Sequence, residues 1–153
     1  MMLTLSVAFH VVAAVIWVGG MFFALIVLRP STGPLDPPVR LALWQRVFSR
    51  FFPWVWAAVV VLLVSGFAMV IWGFGGFSRI GTYVHIMMGV GILMMLIYGH
   101  LYFVPWQRFR RAVGAAEWPT AATQIDQIRL LVTINLILGL ITVVVGAAGR
   151  YYG

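Results

Sequence analysis

Four long apolar blocks limit what this chain can fold into. They lie at about residues 3–28, 53–72, 82–104 and 128–148, and each is close to the roughly 20 residues that a helix needs to cross a bilayer. The chain has 153 residues, of which 63% are hydrophobic and only 8% are charged. Such a composition cannot present an ordinary water-facing surface. The sequence therefore predicts a single-domain, all-α integral membrane protein, a four-helix bundle with both termini on the same side.

The segments between the blocks predict the connections. Residues 31–38 read STGPLDPP, a proline- and glycine-rich loop. From residue 39 the pattern is amphipathic, which predicts an interfacial lead-in to the second helix with Pro53 at the join. Residues 107–111, QRFRR, form a basic collar after the third block. Pro119 suits the first turn of a helix that continues as the fourth block.

The arginines predict the orientation of the bundle. The formal charge is +7, and every cationic side chain apart from histidine is an arginine. The two loops on one side carry eight of them: Arg29, Arg40, Arg46, Arg50, Arg108, Arg110, Arg111 and Arg129. Arg79 and Arg150 lie on the other side. The positive-inside rule then makes the arginine-rich loops cytoplasmic and both termini periplasmic in a bacterial inner membrane. Arginines placed in this way indicate topology and contact with membrane lipid, not binding of nucleic acid.

Three histidines are the candidate functional residues. The chain has no cysteine, which excludes disulfides, thiolate metal sites and covalent c-type haem attachment. An imidazole in hydrocarbon is costly without a partner, so His10, His85 and His100 each call for one. His10 and His85 lie at matching depth, each roughly 10 Å into a span that runs in the same direction. His100 is roughly 22 Å further along the third helix and cannot share a ligand with His85.

The matched pair predicts a haem b site between His10 and His85. Trp17 and small side chains of the first helix would lie beside the ring, and Arg79 and Arg150 would meet its propionates at the surface. With both axial positions filled, the iron favours electron transfer or redox chemistry, with quinol or a periplasmic redox protein as partner. Whether the protein is itself a membrane oxidoreductase stays open.

Other interpretations of the same residues stay open. Met88 and Met95 share a face with His85, and thioether with imidazole is a plausible donor set for Cu(I), which predicts a copper transport or resistance protein. Methionine is also an ordinary filler of apolar helices, and a membrane histidine often only bonds a neighbouring helix. A cofactor-free accessory subunit is a third hypothesis. His100 and Asn135 lie at similar depth and could bond to each other or flank a second small site, although an amide inside a span is favoured to hold two helices together.

A family resemblance bears on these hypotheses. FHVVAAVIWVGGMFFALIVLRP at 9–30, RFFPWVW at 50–56, YVHIMMGVGILMMLIY at 83–98 and NLILGLITVVVGAAGR at 135–150 resemble the CopD family of bacterial membrane proteins. That resemblance implies a role in copper resistance. The spacing of His10 and Trp17 is also similar to HemJ, a membrane protoporphyrinogen oxidase family, which implies haem b. HemJ has an important lysine in its third helix where this chain has Met87, and this departure counts against protoporphyrinogen oxidase activity.

Overall fold

Five helices make up the fold. The computed structural model describes residues 1–73 and 75–149, and its helices are α1 Met2–Ser31, α2 Pro37–Gly73, α3 Thr82–Phe103, α4 Pro105–Gly114 and α5 Trp118–Ala148. A 3-10 turn, Phe77–Arg79, precedes α3. The described ranges contain no strand. Four stretches are long and apolar enough to cross a membrane, with α3 and α4 together forming the third. The predicted all-α fold with four spans is confirmed.

The helices differ from the predicted blocks in three places. The amphipathic lead-in and the second span form one helix, α2, which continues through Pro53. The helix of the fourth block, α5, begins at Trp118, ahead of the apolar residues, and Pro119 lies in its first turn as predicted, where the N–H that proline lacks would have no helical partner. The basic collar is itself a helix, α4. Its Trp106 and Phe109 face the bundle, while its arginines are exposed.

The helices pack in antiparallel pairs. α1 packs mainly against α2, and α3 packs mainly against α5, which α4 also covers. Close approach between the pairs depends on Gly139 of α5. A Cβ atom at that position would lie 2.8 Å from Val18 of α1 and 3.2 Å from Met94 of α3. Small residues at helix crossings are what membrane bundles use to bring backbones together.

The core lies toward one end of the bundle. We call the end with α4 and the 32–36 loop the arginine end, because five arginines lie there or within two turns of it: Arg29, Arg40, Arg108, Arg110 and Arg111. Buried aromatic rings fill this end. Phe48 and Phe52 stack with centroids 5.1 Å apart, and Trp106 meets both rings edge-on. The Tyr98 hydroxyl donates to the Phe52 carbonyl oxygen at 3.0 Å, which ties α3 to α2.

The opposite end, where residues 1 and 149 lie, is packed thinly. We call it the terminal end. Among the described residues, no side chain of α1 before Ala13, of α3 before Met94 or of α5 after Gly139 is buried. Buried positions at this end are Ser65 and Val70 of α2, and Ile80 just before α3. The terminal end therefore holds its helices by few contacts, and most of its apolar side chains face outward.

Candidate functional site

His10 has a partner on the neighbouring helix. Its Nδ1 atom lies 2.9 Å from the Oγ atom of Ser65 on α2, and the imidazole is half-buried. Gly66 makes room for the ring, because a Cβ atom there would lie only 3.5 Å from the His10 Cε1 atom. The ring of His10 therefore lies at the interface of α1 and α2.

The hydrogen bonds of Ser65 fix the tautomer of His10. The Ser65 hydroxyl donates its one proton to the Val61 carbonyl oxygen at 2.6 Å, so it accepts from the imidazole rather than donating to it. His10 Nδ1 then carries the ring proton, an assignment that follows from the hydrogen-bond pattern. The Nε2 atom keeps a lone pair. A neutral imidazole with one nitrogen held by a neighbour and the other free is the form that ligates metals.

His85 lies in a different setting. Its side chain is exposed in the first turn of α3, and its Nδ1 atom is 3.3 Å from the Gly81 carbonyl oxygen, one turn earlier in the same segment. Because α1 packs on α2 and α3 packs on α5, the two imidazoles belong to different helix pairs. The predicted facing of His10 and His85 across one gap stays a prediction. Each ring has a partner other than the second ring.

Of the other residues named in the predicted haem site, only Trp17 has a side chain among the described residues. Trp17 is buried and meets Tyr98 edge-on, with centroids 6.0 Å apart. It lies about 10 Å along α1 from His10 at 1.5 Å per residue, and belongs to the aromatic core. Arg150 lies outside the described residues, and so does the side chain of Arg79. The predicted propionate contacts of these two arginines stay predictions.

The methionines of α3 divide between two faces. Met94 is buried and reaches Gly139, and Met87 reaches Gly146, so this pair faces α5. Met88 and Met95, the predicted copper donors, are each one position further along and half-buried. Within the described residues, histidine, aspartate and glutamate form no group of three or more able to hold a metal. A metal site among these residues would therefore need methionine thioethers as ligands, or would have fewer than three histidine and carboxylate ligands.

The two residues of the second predicted site lie in different settings. Asn135 is buried, and its Nδ2 group donates to the Met94 carbonyl oxygen at 3.1 Å. His100 is exposed near the arginine end of α3. One face of α5, with Asn135, Gly139 and Gly146, is the surface on which α3 packs, because all three positions adjoin residues of α3. A second site at His100 and Asn135 stays a prediction, and the contact that Asn135 makes is the interhelical bond that joins α5 to the α3 backbone.

Sequence reasoning did not find Ser65. A serine inside the apolar block 53–72 was the available signal, because a hydroxyl in hydrocarbon needs a partner just as an imidazole does. The sequence does not show which helix Ser65 faces, because a polar residue on any of the other three spans could equally have been the partner of His10. Only the packing of α1 on α2 selects Ser65.

Comparison with known families decides between the resemblances. A family model described as "Copper resistance protein D" matches residues 45–148. The chain belongs to the CopD family. The match includes most of α2 and all of α3, α4 and α5, and thus His85, Met88, Met95, His100 and Asn135. In this CopD-family chain α1, with His10 and Trp17, lies outside the matched residues. Searches of curated protein sequences and of solved structures find no match.

Proposed function

We propose that this CopD-family protein handles copper within the membrane, carrying or buffering Cu(I) as part of copper resistance. The observation that carries the proposal is the family match, which extends over three of the four spans. Copper is then the cargo of the protein and not its resident cofactor. The fold places donor side chains on membrane-spanning helices, and the family description points to copper as the metal.

The available donors suit the reduced ion. Thiolates are absent, since the chain has no cysteine. The remaining donors are thioethers, which select Cu(I), and imidazoles, which also bind copper. His85 and Met88 are three residues apart and thus neighbours on the surface of α3, with Met95 two turns further on. His10 adds a free Nε2 lone pair on α1. We assign His10, His85, Met88 and Met95 as the donors.

The dispersed arrangement of these donors favours passage over storage. The described histidine and carboxylate side chains build no closed cage of three or more ligands. Donors spread over α1 and α3 bind an ion with low coordination number, so that it can also leave, as transport requires. We therefore favour transient binding at successive positions over one tight site.

The orientation of the protein is part of the same proposal. The positive-inside rule places the arginine end in the cytoplasm, because an end rich in arginine is retained on that side of the membrane. His10 and His85 lie toward the terminal end, which would then face the periplasm across the bacterial inner membrane. Copper arriving from outside would meet these two imidazoles first.

Metal analysis tests the proposal. The purified protein is loaded with Cu(I) in detergent, freed of excess metal, and analysed for its copper-to-protein ratio. We expect bound copper in the parent protein, and a lower ratio for Met88→Leu and Met95→Leu. Met2→Leu is the matched control, because Met2 is exposed at the start of α1 and its loss should leave the ratio unchanged.

An absorption spectrum separates copper from haem. Copper-free protein that shows a Soret band after expression in haem-replete cells would contradict the copper proposal and support the haem b hypothesis, with quinol or a periplasmic redox protein as partner. We rank haem lower because the matching family is described by copper resistance. Protein with neither metal nor haem, stable only beside another membrane protein, would indicate the accessory subunit.

A further inference from the structure

A cleft at the arginine end has the features of a ligand site that copper handling does not explain. It lies between α4 and the first turns of α5, with a volume of about 300 Å³, which is at the lower end of the range for small-ligand sites. Its polar lining residues are Arg108, Arg111, Glu117, Thr120 and Gln124. It is distant along the bundle from His10 and His85, which lie toward the terminal end.

One side of the cleft is cationic. Arg108 and Arg111 are three residues apart on α4, so their side chains are neighbours, and both are exposed. The only ion pair among the described residues joins Arg129 to Asp126, so neither cleft arginine is paired. The α5 helix begins in the same cleft, without a side-chain cap, and the free N–H groups of a first turn attract anions. Two guanidinium groups beside a helix N-terminus are suited to a phosphate group.

The other side of the cleft accepts hydrogen bonds. Gln124 is only 8% exposed, and its Oε1 atom has no hydrogen-bond partner among the described residues. A buried acceptor left without a donor is costly, which indicates that a donor comes from outside the chain. The Glu117 carboxylate also lines the cleft, is exposed and forms no ion pair in the described structure. These two acceptors are suited to an ammonium group.

The cleft lies where lipid headgroups lie. It begins at the end of the third apolar span, where α4 turns its Trp106 and Phe109 into the bundle and its arginines outward. A cluster of exposed arginines directly after a membrane span is expected at the level of the lipid headgroups. We propose that the cleft binds the headgroup of a phospholipid that carries an ammonium group. Arg108, Arg111 and the first turn of α5 hold the phosphate, and Glu117 with Gln124 Oε1 holds the ammonium.

Native mass spectrometry of the full chain tests this proposal. The detergent-solubilised protein is titrated with phosphatidylethanolamine, phosphatidylcholine and phosphatidylglycerol of equal acyl chains, and with inorganic phosphate. We expect phosphatidylethanolamine to bind best, because choline has no N–H to donate and glycerol has no positive charge. Arg111→Gln should weaken its binding about tenfold, as expected for the loss of one charge-assisted hydrogen bond. Glu117→Gln should remove the preference for phosphatidylethanolamine over phosphatidylcholine.

Arg110→Gln is the matched control. Arg110 lies on the same helix, but its guanidinium packs over the Trp106 ring at 5.7 Å and does not line this cleft. Equal losses from Arg110→Gln and Arg111→Gln would show a general charge effect and overturn the site. Equal binding of the three lipids would overturn the ammonium assignment, and displacement of lipid by millimolar phosphate would show that the cleft takes free phosphate instead. Thermal unfolding of each variant checks that it is folded.

Discussion

The Nδ1 atom of His10 lies 2.9 Å from the Oγ atom of Ser65, and the Ser65 hydroxyl proton is already used on the Val61 carbonyl oxygen. The serine therefore acts as an acceptor and holds the imidazole in one tautomer and one orientation. The residue that determines how His10 can bind a metal is thus on the neighbouring helix. A hydrogen bond of this kind to a metal-ligating histidine commonly sets both ring orientation and affinity.

Removing the Ser65 hydroxyl should weaken copper binding without unfolding the protein. We expect Ser65→Ala to lower the affinity for Cu(I) roughly 10–100-fold, as is typical for loss of such a partner, because the imidazole can then rotate and change tautomer. The measurement is a competition titration with a Cu(I) chelator. Thr142→Val is the control, because Thr142 is a span hydroxyl that bonds only its own helix, to the Leu138 carbonyl oxygen. Unchanged affinity in Ser65→Ala would remove His10 from the donor set.

The hydrogen bond from Tyr98 to the Phe52 carbonyl oxygen should contribute measurably to stability. Tyr98→Phe keeps the ring contacts and removes only the hydroxyl, so we expect a loss of about 1 kcal/mol in the free energy of unfolding. Tyr102→Phe serves as the comparison, since Tyr102 belongs to the same aromatic cluster and its hydroxyl makes no hydrogen bond among the described residues. Unfolding of both variants in detergent, followed by circular dichroism, measures the difference. Equal stability of the two would show that the bond contributes nothing.

Gly139 should not tolerate even a methyl group. In Gly139→Ala the new Cβ atom would lie 2.8 Å from Val18, whose branched side chain is confined to one rotamer in a helix. We expect a loss of roughly 1–3 kcal/mol, the range for overpacking, seen as a lower unfolding temperature. Gly89→Ala is the control, because nothing lies within 4 Å of a Cβ atom there. That variant should be neutral or slightly more stable, since alanine favours helix.

Ala116 occupies a conformation that suits glycine. Its φ is +56°, and the turn between α4 and α5 has the Schellman pattern, with Glu117 N–H bonding to the Ala112 carbonyl and Ala116 N–H to the Val113 carbonyl. Ala116→Gly should raise the free energy of unfolding by about 0.5–1 kcal/mol, because left-handed backbone is strained for alanine. Ala115→Gly, at φ of −90°, should instead lower it, because glycine gains only unfolded-state entropy there. The unfolding temperatures of the two variants give the comparison, and a stabilised Ala115→Gly would contradict it.

Much of the fold was predictable because it depends on hydropathy. Apolar blocks of membrane-spanning length fix the number of helices whatever their neighbours are, because a helix satisfies its own backbone groups in hydrocarbon. Helix ends were harder. The polar stretch before residue 128 is helical in α5 because a helix continues readily beyond the bilayer. The segment of α4 is helical because its apolar residues pack on the bundle. Periodicity over only ten residues is a weak indication of such a helix.

The candidate site was less predictable because depth is not proximity. His10 and His85 start spans of the same direction, which places them at similar depth, but sequence does not state which helices are neighbours. The pairing of α1 with α2 and of α3 with α5 gives His10 a serine and leaves His85 exposed. The partner of Asn135 was similarly open, since its amide was free to meet a side chain or a backbone carbonyl and only the packing of α3 selects the carbonyl of Met94.

The uneven burial along the bundle divides the molecule into a fixed base, which is the arginine end, and a pliable rim, which is the terminal end. The aromatic rings of α1 to α4 and the buried aliphatic side chains of α5 hold the four spans together at the base, so helix ends at the rim can splay sideways while the topology is kept. Backbone amides near His10 and His85 should accordingly exchange with deuterated solvent sooner than those near Phe52 and Tyr98. An ion entering at the rim would need only a small separation of helices that were never tightly joined.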